Sequence, residues 1–347
     1  MEIGNKIRQL RYKVSLTQEQ LSDRLGVSAQ AVSKWETSAA MPDISLLPEI
    51  AEVFGVSIDE LFDLTTDQKF RRIENRMDVQ EELDPDIFRE YEEFLKDRIS
   101  RGEERQRALG LLAGLYHHRL EACAGKASRY AREAIALAPE KKDCQWLLQK
   151  AEGSAAWDWN VANHNKTIEF YKEVIAGDTK EPKTPLPYYF LIDNLIADHR
   201  TEEACEYLKQ FQKLPAHRDF MIPVYEAAIA LAEYDEKKAD AIMEDALGRY
   251  PGKPDLLFEA AQYHARKCEY EKAIEYYEAS YAAEENEKPR FTDALQGIAV
   301  IYEILGEYKK AADTHRRILA ALKEEWGFTE ETVIRETEQE IERLTRK

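Results

Sequence analysis

Apolar residues recur at helical spacing from the third residue onward. Ile3, Ile7, Leu10 and Val14 fall at i, i+4, i+7 and i+11, one face of an amphipathic helix. Thr17 then offers an N-cap, with Gln20 three residues later as a capping box requires. Leu21 and Leu25 supply the inward face of that second helix. Gly26 follows where the chain reverses, because glycine enters the left-handed conformation cheaply. Ser28 caps a third helix, with Val32 and Trp35 inward at i and i+3. Asp43 or Ser45 starts a fourth, Gly55 ends it, and Ser57 caps a short fifth that closes near Phe62.

Helix, short turn with glycine, helix is the helix-turn-helix arrangement. Two short helices that cross steeply need a small residue where they touch, and Ser22 is that residue. Val27 plugs the turn, while Val32 and Trp35 anchor the second helix to the first. Those constraints leave Ser28, Ala29, Gln30, Ser33 and Lys34 facing outward, all short, polar or basic. Residues 3–62, including the closing FGVSIDELF, resemble the five-helix DNA-binding domain of phage-repressor-like (Xre-type) regulators. The resemblance implies that Gln18 contacts a phosphate and that Ala29, Gln30, Ser33 and Lys34, with Ser28 at their start, face bases and backbone in the major groove. Gln30 would pair with adenine, and Lys34 with guanine or a phosphate. It further implies an internal ion pair between Arg11 and Glu36. Two positions depart from the family pattern. Ser22 stands where alanine is usual, and Ser38–Ala39–Ala40 lacks the glycine and basic residues often found there, which implies a weaker backbone clamp.

Beyond this domain (residues 1–64), residues 65–103 read as a helical linker. Phe70, Ile73 and Met77 keep helical spacing, Asp84–Pro85 breaks it, and Ile87, Phe88, Tyr91, Leu95 and Ile99 resume it. Such a stripe serves either as a docking face against a neighbouring domain or as a dimer seam.

The rest repeats. CEYEKAIEYYEASY (268–281) is echoed by GEYKKAADTHRRIL (306–319) and by EYDEKKADAIMEDALGRYP (233–251), aligning Ala239, Ala273 and Ala311 at gaps of 34 and 38. Fainter copies place Ala204, Thr167 and Ala127 at gaps of 35, 37 and 40, and Pro139, Pro215 and Pro251 end three units. A period near 34 with an alanine and a terminal proline resembles tetratricopeptide repeats. About six helix pairs fit between residues 105 and 326, followed by an amphipathic helix from Glu330 to Arg346, within a domain spanning 104–347. The expected fold class is all-α: a five-helix repressor-like domain, a helical linker and a tetratricopeptide-like α-solenoid. Family spacing puts Trp159, Asn160 and Tyr189 on the concave inner face, then Asp193, Tyr225 and Phe258, and finally Gln262, Arg266 and Glu303. Rings there would bury the side chains of a bound peptide and amides would pair with its backbone, although inter-repeat packing explains any single ring equally well. WDWNVANHN (157–165) is the most ligand-like segment, because two Trp and three Asn are costly to bury unsatisfied.

Charge refines this picture. The net charge of −18 speaks against nucleic acid if taken whole. Residues 1–34, however, carry six bases and three acids, a net of +3, and residues 35–64 carry seven acids and no base. The positive charge is gathered where the helix-turn-helix stands. The four cysteines form no CxxC or Cys/His cluster, which implies buried thiols in a reducing cytosol and neither disulfides nor a metal site. The charged N-terminus and the lack of a long apolar run imply a cytoplasmic protein that does not enter a membrane. The histidines never take metal-ligand spacing, and neither a phosphate loop nor a nucleophile elbow stands in context, so no enzyme, cofactor or catalytic residue is expected. The joined halves resemble in architecture the cytoplasmic peptide-pheromone receptors of Gram-positive bacteria. The resemblance implies a transcriptional regulator that binds an operator as a homodimer and holds a peptide or protein in its repeats. The alternative is a repeat-based adaptor with a secondary or vestigial helix-turn-helix domain.

Overall fold

The computed structural model describes residues 3–62, 65–153, 164–178, 183–284 and 288–347. Every regular element among them is helical, and the chain forms two compact units, Met1–Ala124 and Gly125–Lys347.

The first unit opens with α1 (Ile3–Lys13), α2 (Gln18–Leu25), α3 (Ala29–Glu36), α4 (Leu47–Phe54) and α5 (Ile58–Phe62). Neither candidate start caps the fourth helix: Ser45 lies inside a preceding 3-10 turn, and α4 begins after Leu46 with no side-chain cap. Asp43 caps a single 3-10 turn (Ile44–Leu46), accepting from the Ser45 N–H at 2.9 Å, and Pro48 sits in the first turn of α4 where no N–H is needed. Ile7, Leu21, Val32, Ile50 and Leu61 are fully buried together. Val14 is not on this inward face. It lies past the end of α1, where Ser15 turns the chain at φ 56°, and is exposed.

Next come α6 (Thr66–Val79), α7 (Pro85–Arg101) and α8 (Arg105–Leu137). Phe70, Ile73, Phe88, Tyr91 and Leu95 are buried against one another and against Ala108 and Leu115 of α8. The apolar stripe of residues 65–103 is thus spent on a local three-helix core, and the segment is more than a spacer.

The second unit contains the rest of α8, α9 (Lys142–Ala151), α10 (Asn165–Gly177) and four antiparallel pairs. These are α11 (Leu186–Ala197) with α12 (Thr201–Phe211), α13 (Met221–Ala232) with α14 (Glu236–Arg249), α15 (Pro254–Arg266) with α16 (Tyr270–Ala283), and α17 (Asp293–Ile304) with α18 (Tyr308–Glu324). Ala204, Ala239, Ala273 and Ala311 are fully buried, one on the second helix of each pair. Five residues before each alanine the turn between the paired helices adopts a left-handed backbone, at His199 (φ 54°), Tyr234 (φ 63°), Cys268 (φ 59°) and Gly306 (φ 74°). The following N–H closes back onto the first helix: Arg200 to Leu195, Asp235 to Ala230, Glu269 to His264 and Glu307 to Tyr302, all at 2.8–2.9 Å. One turn geometry therefore recurs with the sequence period.

The two faintest copies do not form such pairs. Ala127 is exposed in the middle of α8, and Thr167 is exposed on α10. Residues 105–137 are rich in Ala, Leu and Arg with no proline, and these helix formers carry α8 unbroken through Gly125. Cys123 on this helix and Cys268 in the third repeat turn are exposed, and Cys144 and Cys205 half-buried, so the thiols are not buried as expected. Among the described residues, four of the expected six pairs, from α11 to α18, have this geometry. A last helix, α19 (Thr332–Thr345), lies along α18 and buries Ile334 and Leu344 against the end of the stack.

Candidate functional site

In α2 the capping box is complete: the Gln20 N–H donates to Thr17 Oγ1 (3.1 Å) and the Thr17 N–H to Gln20 Oε1 (2.9 Å). Gly26 turns the chain at φ 64°. Ser28 Oγ then accepts the Ala31 N–H at 3.2 Å and fixes where α3 begins. Ser22 is buried where α2 meets its neighbours, and its hydroxyl donates to the Glu19 carbonyl at 2.7 Å, so it fills the place of alanine without an unsatisfied group.

Beneath α3 lies a buried polar cluster. Arg11 donates to Glu36 through Nε (2.5 Å) and Nη2 (2.8 Å), and through Nη1 to the Leu16 carbonyl (2.8 Å). Gln18 Nε2 donates to Glu36 Oε2 at 2.8 Å. Burial alone would raise the Glu36 carboxyl, but the hydrogen bonds from Arg11 and Gln18 overcome it and hold Glu36 below the ordinary carboxylate range. A carboxylate only accepts, so it fixes which end of the Gln18 amide faces inward. The second amide hydrogen of Gln18 remains for an anion outside.

On the other side of α3, Gln30 and Lys34 are exposed and Ala29 and Ser33 half-buried. Their i, i+3 and i+4 spacing sets them on one face. Among the described residues neither the Gln30 amide nor the Lys34 ammonium has a side-chain partner. The helix ends with Thr37 Oγ1 donating to the Ser33 carbonyl (2.8 Å) and the Ala39 N–H to the Lys34 carbonyl (2.8 Å). The structure thus brings Gln18, Ser28, Ala29, Gln30, Ser33 and Lys34 onto two adjoining helices, with a buried ion pair setting their positions.

The candidate groove residues divide. Trp159, Asn160 and most of WDWNVANHN lie outside the described residues. Tyr225 is only 3% exposed, so its ring packs between repeats and does not line a surface. Tyr189 is half-buried, edge-on to Phe211 at 4.9 Å, and Phe258 is edge-on to Tyr277 at 5.4 Å. Glu303 is held by Arg343 of α19 at 2.5 Å. Tyr225 is thus taken up by inter-repeat packing and Glu303 by an ion pair, while Tyr189 and Phe258 pack on one edge and Phe258 also lines a cavity. Asp193 on α11, and Gln262 and Arg266 on α15, keep open surface on the first helices of the first and third pairs. Sequence reasoning missed Glu259, one turn from Gln262. Desolvation, and then the nearby Asp193 charge, push the Glu259 carboxyl up to about 7, while Arg266 works in the opposite direction. Asp193 is likewise raised by desolvation, although water reaches it. A group that is accessible and yet surrounded by protein sits in a concavity.

Close by is a cavity of about 230 Å³ at the start of α13, α15 and α17. Its walls are Phe220, Phe258, Tyr281 and Phe291, and its carboxylates Asp255, Glu259, Glu284 and Asp293 outnumber one arginine, Arg218. Rings and carboxylates together suit a cationic group.

Known proteins are similar to this chain over the segment that holds the first of these two regions. The helix-turn-helix family matches residues 7–61. Over 58 residues the chain is 40% identical to an HTH-type transcriptional regulator, MJ0272, of Methanocaldococcus jannaschii, covering 88% of that protein. The chain belongs to the helix-turn-helix family. Among its relatives it is 48% identical over 61 residues to the HTH-type transcriptional activator BcrR of Enterococcus faecalis, and 33% identical over 61 residues to the phage CTXphi transcriptional repressor RstR of Vibrio cholerae. These matches take 18% of this helix-turn-helix chain and 30% and 54% of the two relatives, so the chain spans about half or less of their length. Over nearly the whole chain, two solved structures are similar at low identity. Bacillus thuringiensis PlcR, solved with the peptide PapR7 and DNA, is 14% identical over 93% of this chain and 99% of that one, with a TM-score of 0.25. The competence regulator ComR of Streptococcus vestibularis, in its apo form, is 16% identical over 99% and 98%, also at 0.25. At those scores the likeness assigns no ligand to the repeats.

Proposed function

We propose that this chain is a cytoplasmic, DNA-binding transcriptional regulator that acts as a homodimer. α3 enters the major groove, where Gln30 and Lys34 meet base edges or phosphate, and Gln18 donates its free amide hydrogen to a phosphate at the start of α2. The observation that carries the reading is the pair Gln30 and Lys34, without a side-chain partner among the described residues, held on α3 over the Arg11–Glu36–Gln18 cluster, within the segment that matches the helix-turn-helix family. The repeat unit is the sensor in this reading. Its concave face offers Asp193, Glu259, Gln262 and Arg266, with the acidic, ring-walled cavity beside them, to a peptide or protein segment bearing a cationic group. No catalytic step is assigned to the chain.

Selection of binding sites from random DNA with the purified full chain tests this. Recovery of a two-fold symmetric motif, with half-sites about one helical turn or a multiple apart, supports a dimeric reader. Failure to recover any motif, with or without added cell extract, removes DNA reading and favours the adaptor alternative.

A further inference from the structure

Helix α8 has two apolar stripes, and the described residues of its own chain cover only one. Ala108 and Leu115, with Leu111 and Leu112, face the core shared with α6 and α7. The second stripe recurs every seven residues at Leu109, Tyr116, Cys123, Tyr130 and Leu137. Between these, four residues after each of the first four, stand Ala113, Leu120, Ala127 and Ala134. Alternating steps of four and three are the a/d pattern of a coiled-coil seam, here sustained over four heptads and about 42 Å at 1.5 Å per residue. All nine residues keep open surface on one continuous helix; Leu120 is 64%, Tyr130 61% and Leu137 87% exposed. Tyr116 gives one ring edge to Phe88 (5.6 Å) and its hydroxyl to Glu92, and remains 46% exposed. A soluble helix seldom leaves so long an apolar stripe to water.

The sizes along the stripe say what fits it. In a parallel in-register pair, alanine would meet alanine and tyrosine would meet tyrosine, so layers alternate between gaps and clashes. In an antiparallel pair an a position faces a d position. One register then sets Leu109 against Ala134, Ala113 against Tyr130, Tyr116 against Ala127 and Leu120 against Cys123, each layer joining a large residue to a small one. The sequence is complementary to its own reverse, which is what an isologous two-fold interface requires. We infer that α8 is the seam of an antiparallel homodimer, in which this face is covered by the same face of a second copy. The inference rests on the homodimer of the preceding section and supplies its location.

Sedimentation of the full chain tests both. The unsubstituted protein is expected to be a dimer at micromolar concentration, and Leu120→Glu with Tyr130→Glu is expected to weaken dimerisation on the order of 100-fold. The circular dichroism spectrum should be unchanged, because both side chains face solvent in a single copy. A monomeric unsubstituted protein overturns the seam and the homodimer reading together. A dimer that survives the double substitution overturns the seam alone. Register is read separately by mixing chains carrying Leu109→Cys with chains carrying Ala134→Cys and mapping disulfides by mass spectrometry. A mixed 109–134 bridge is expected, and bridges only between identical positions would overturn the antiparallel arrangement.

Discussion

A β-carbon added to Gly4 would stand 1.7 Å from the carbonyl oxygen of Trp35. α1 and α3 therefore touch backbone to backbone, and the orientation of the α3 face depends on an atom that is not there. Alanine is the better helix former by about 1 kcal/mol, yet Gly4→Ala is expected to destabilise this domain by roughly 3 kcal/mol or more through overpacking against a backbone that cannot swing aside. Thermal unfolding of the full chain, with operator affinity alongside, measures it. An unchanged melting profile would show that the helices do not approach this closely.

The Arg11–Glu36 pair makes a prediction of opposite character. Arg11→Met alone leaves a buried carboxylate and is expected to cost about 3–5 kcal/mol. Arg11→Met with Glu36→Leu removes both charges and should recover much of that loss, a non-additivity that denaturant titration of the two variants resolves. Because the folded Glu36 carboxyl lies below its usual range, its contribution is present above the unfolded value and is lost as pH falls through the folded one. Acid should therefore loosen this domain through Glu36, and the double variant should be less sensitive to it.

Gln30 and Lys34 should separate by the kind of contact they make. Gln30→Ala is expected to cost about 1–3 kcal/mol and to relax preference at one base position. If Lys34 meets phosphate, Lys34→Ala should weaken all sequences alike and reduce the salt slope by about 1. Parallel site selection and salt titration of the two variants decide. Identical base preferences for Gln30→Ala and the unsubstituted protein would remove Gln30 as a base reader.

Three of the four repeat turns place a non-glycine residue in the left-handed region. Gly306 fits there without strain, whereas Cys268 does not. Cys268→Gly is expected to stabilise the repeat unit by about 0.5–1 kcal/mol, and Gly306→Ala to destabilise it by about 1 kcal/mol. Calorimetry of both variants checks the pair, and a destabilising Cys268→Gly would mean that its side chain supports the turn.

Glu259 should impose a pH dependence on the repeat unit. Its folded value of about 7 lies above the usual 4.5, so the folded chain holds a proton that the unfolded chain has released. Stability through this group is complete below the unfolded value and declines as pH rises toward 7. Glu259→Gln, which cannot ionise, is expected to leave the melting temperature near pH 4 unchanged and to raise it at pH 8. Equal effects at both pH values would show that the carboxyl titrates normally.

How much of this was legible in the sequence follows from the length scale of each signal. The caps at Thr17 and Ser28, the reversal at Gly26 and the alanine period from 204 to 311 are local or periodic, and residue type alone reveals them. Gly4 was not legible, because what it accommodates is a carbonyl 31 residues away. Glu259 looked like one surface acid among many until the surrounding helices gave it a poorly solvated place. Tyr225 showed the converse: aromatic character at the right spacing is shared by residues that line a groove and residues that fill the space behind it. Ala127 carried the expected repeat spacing, but without a turn beside it the helix simply continued.

Helix α19 ends the repeat stack with a face unlike the ones inside it. Ile334 and Leu344 cover the last pair, while Arg343 grips Glu303 from outside the repeat pattern. A stack whose final surface is already occupied offers no template for the first helix of another chain. A further repeat pair could join the last one only by displacing α19.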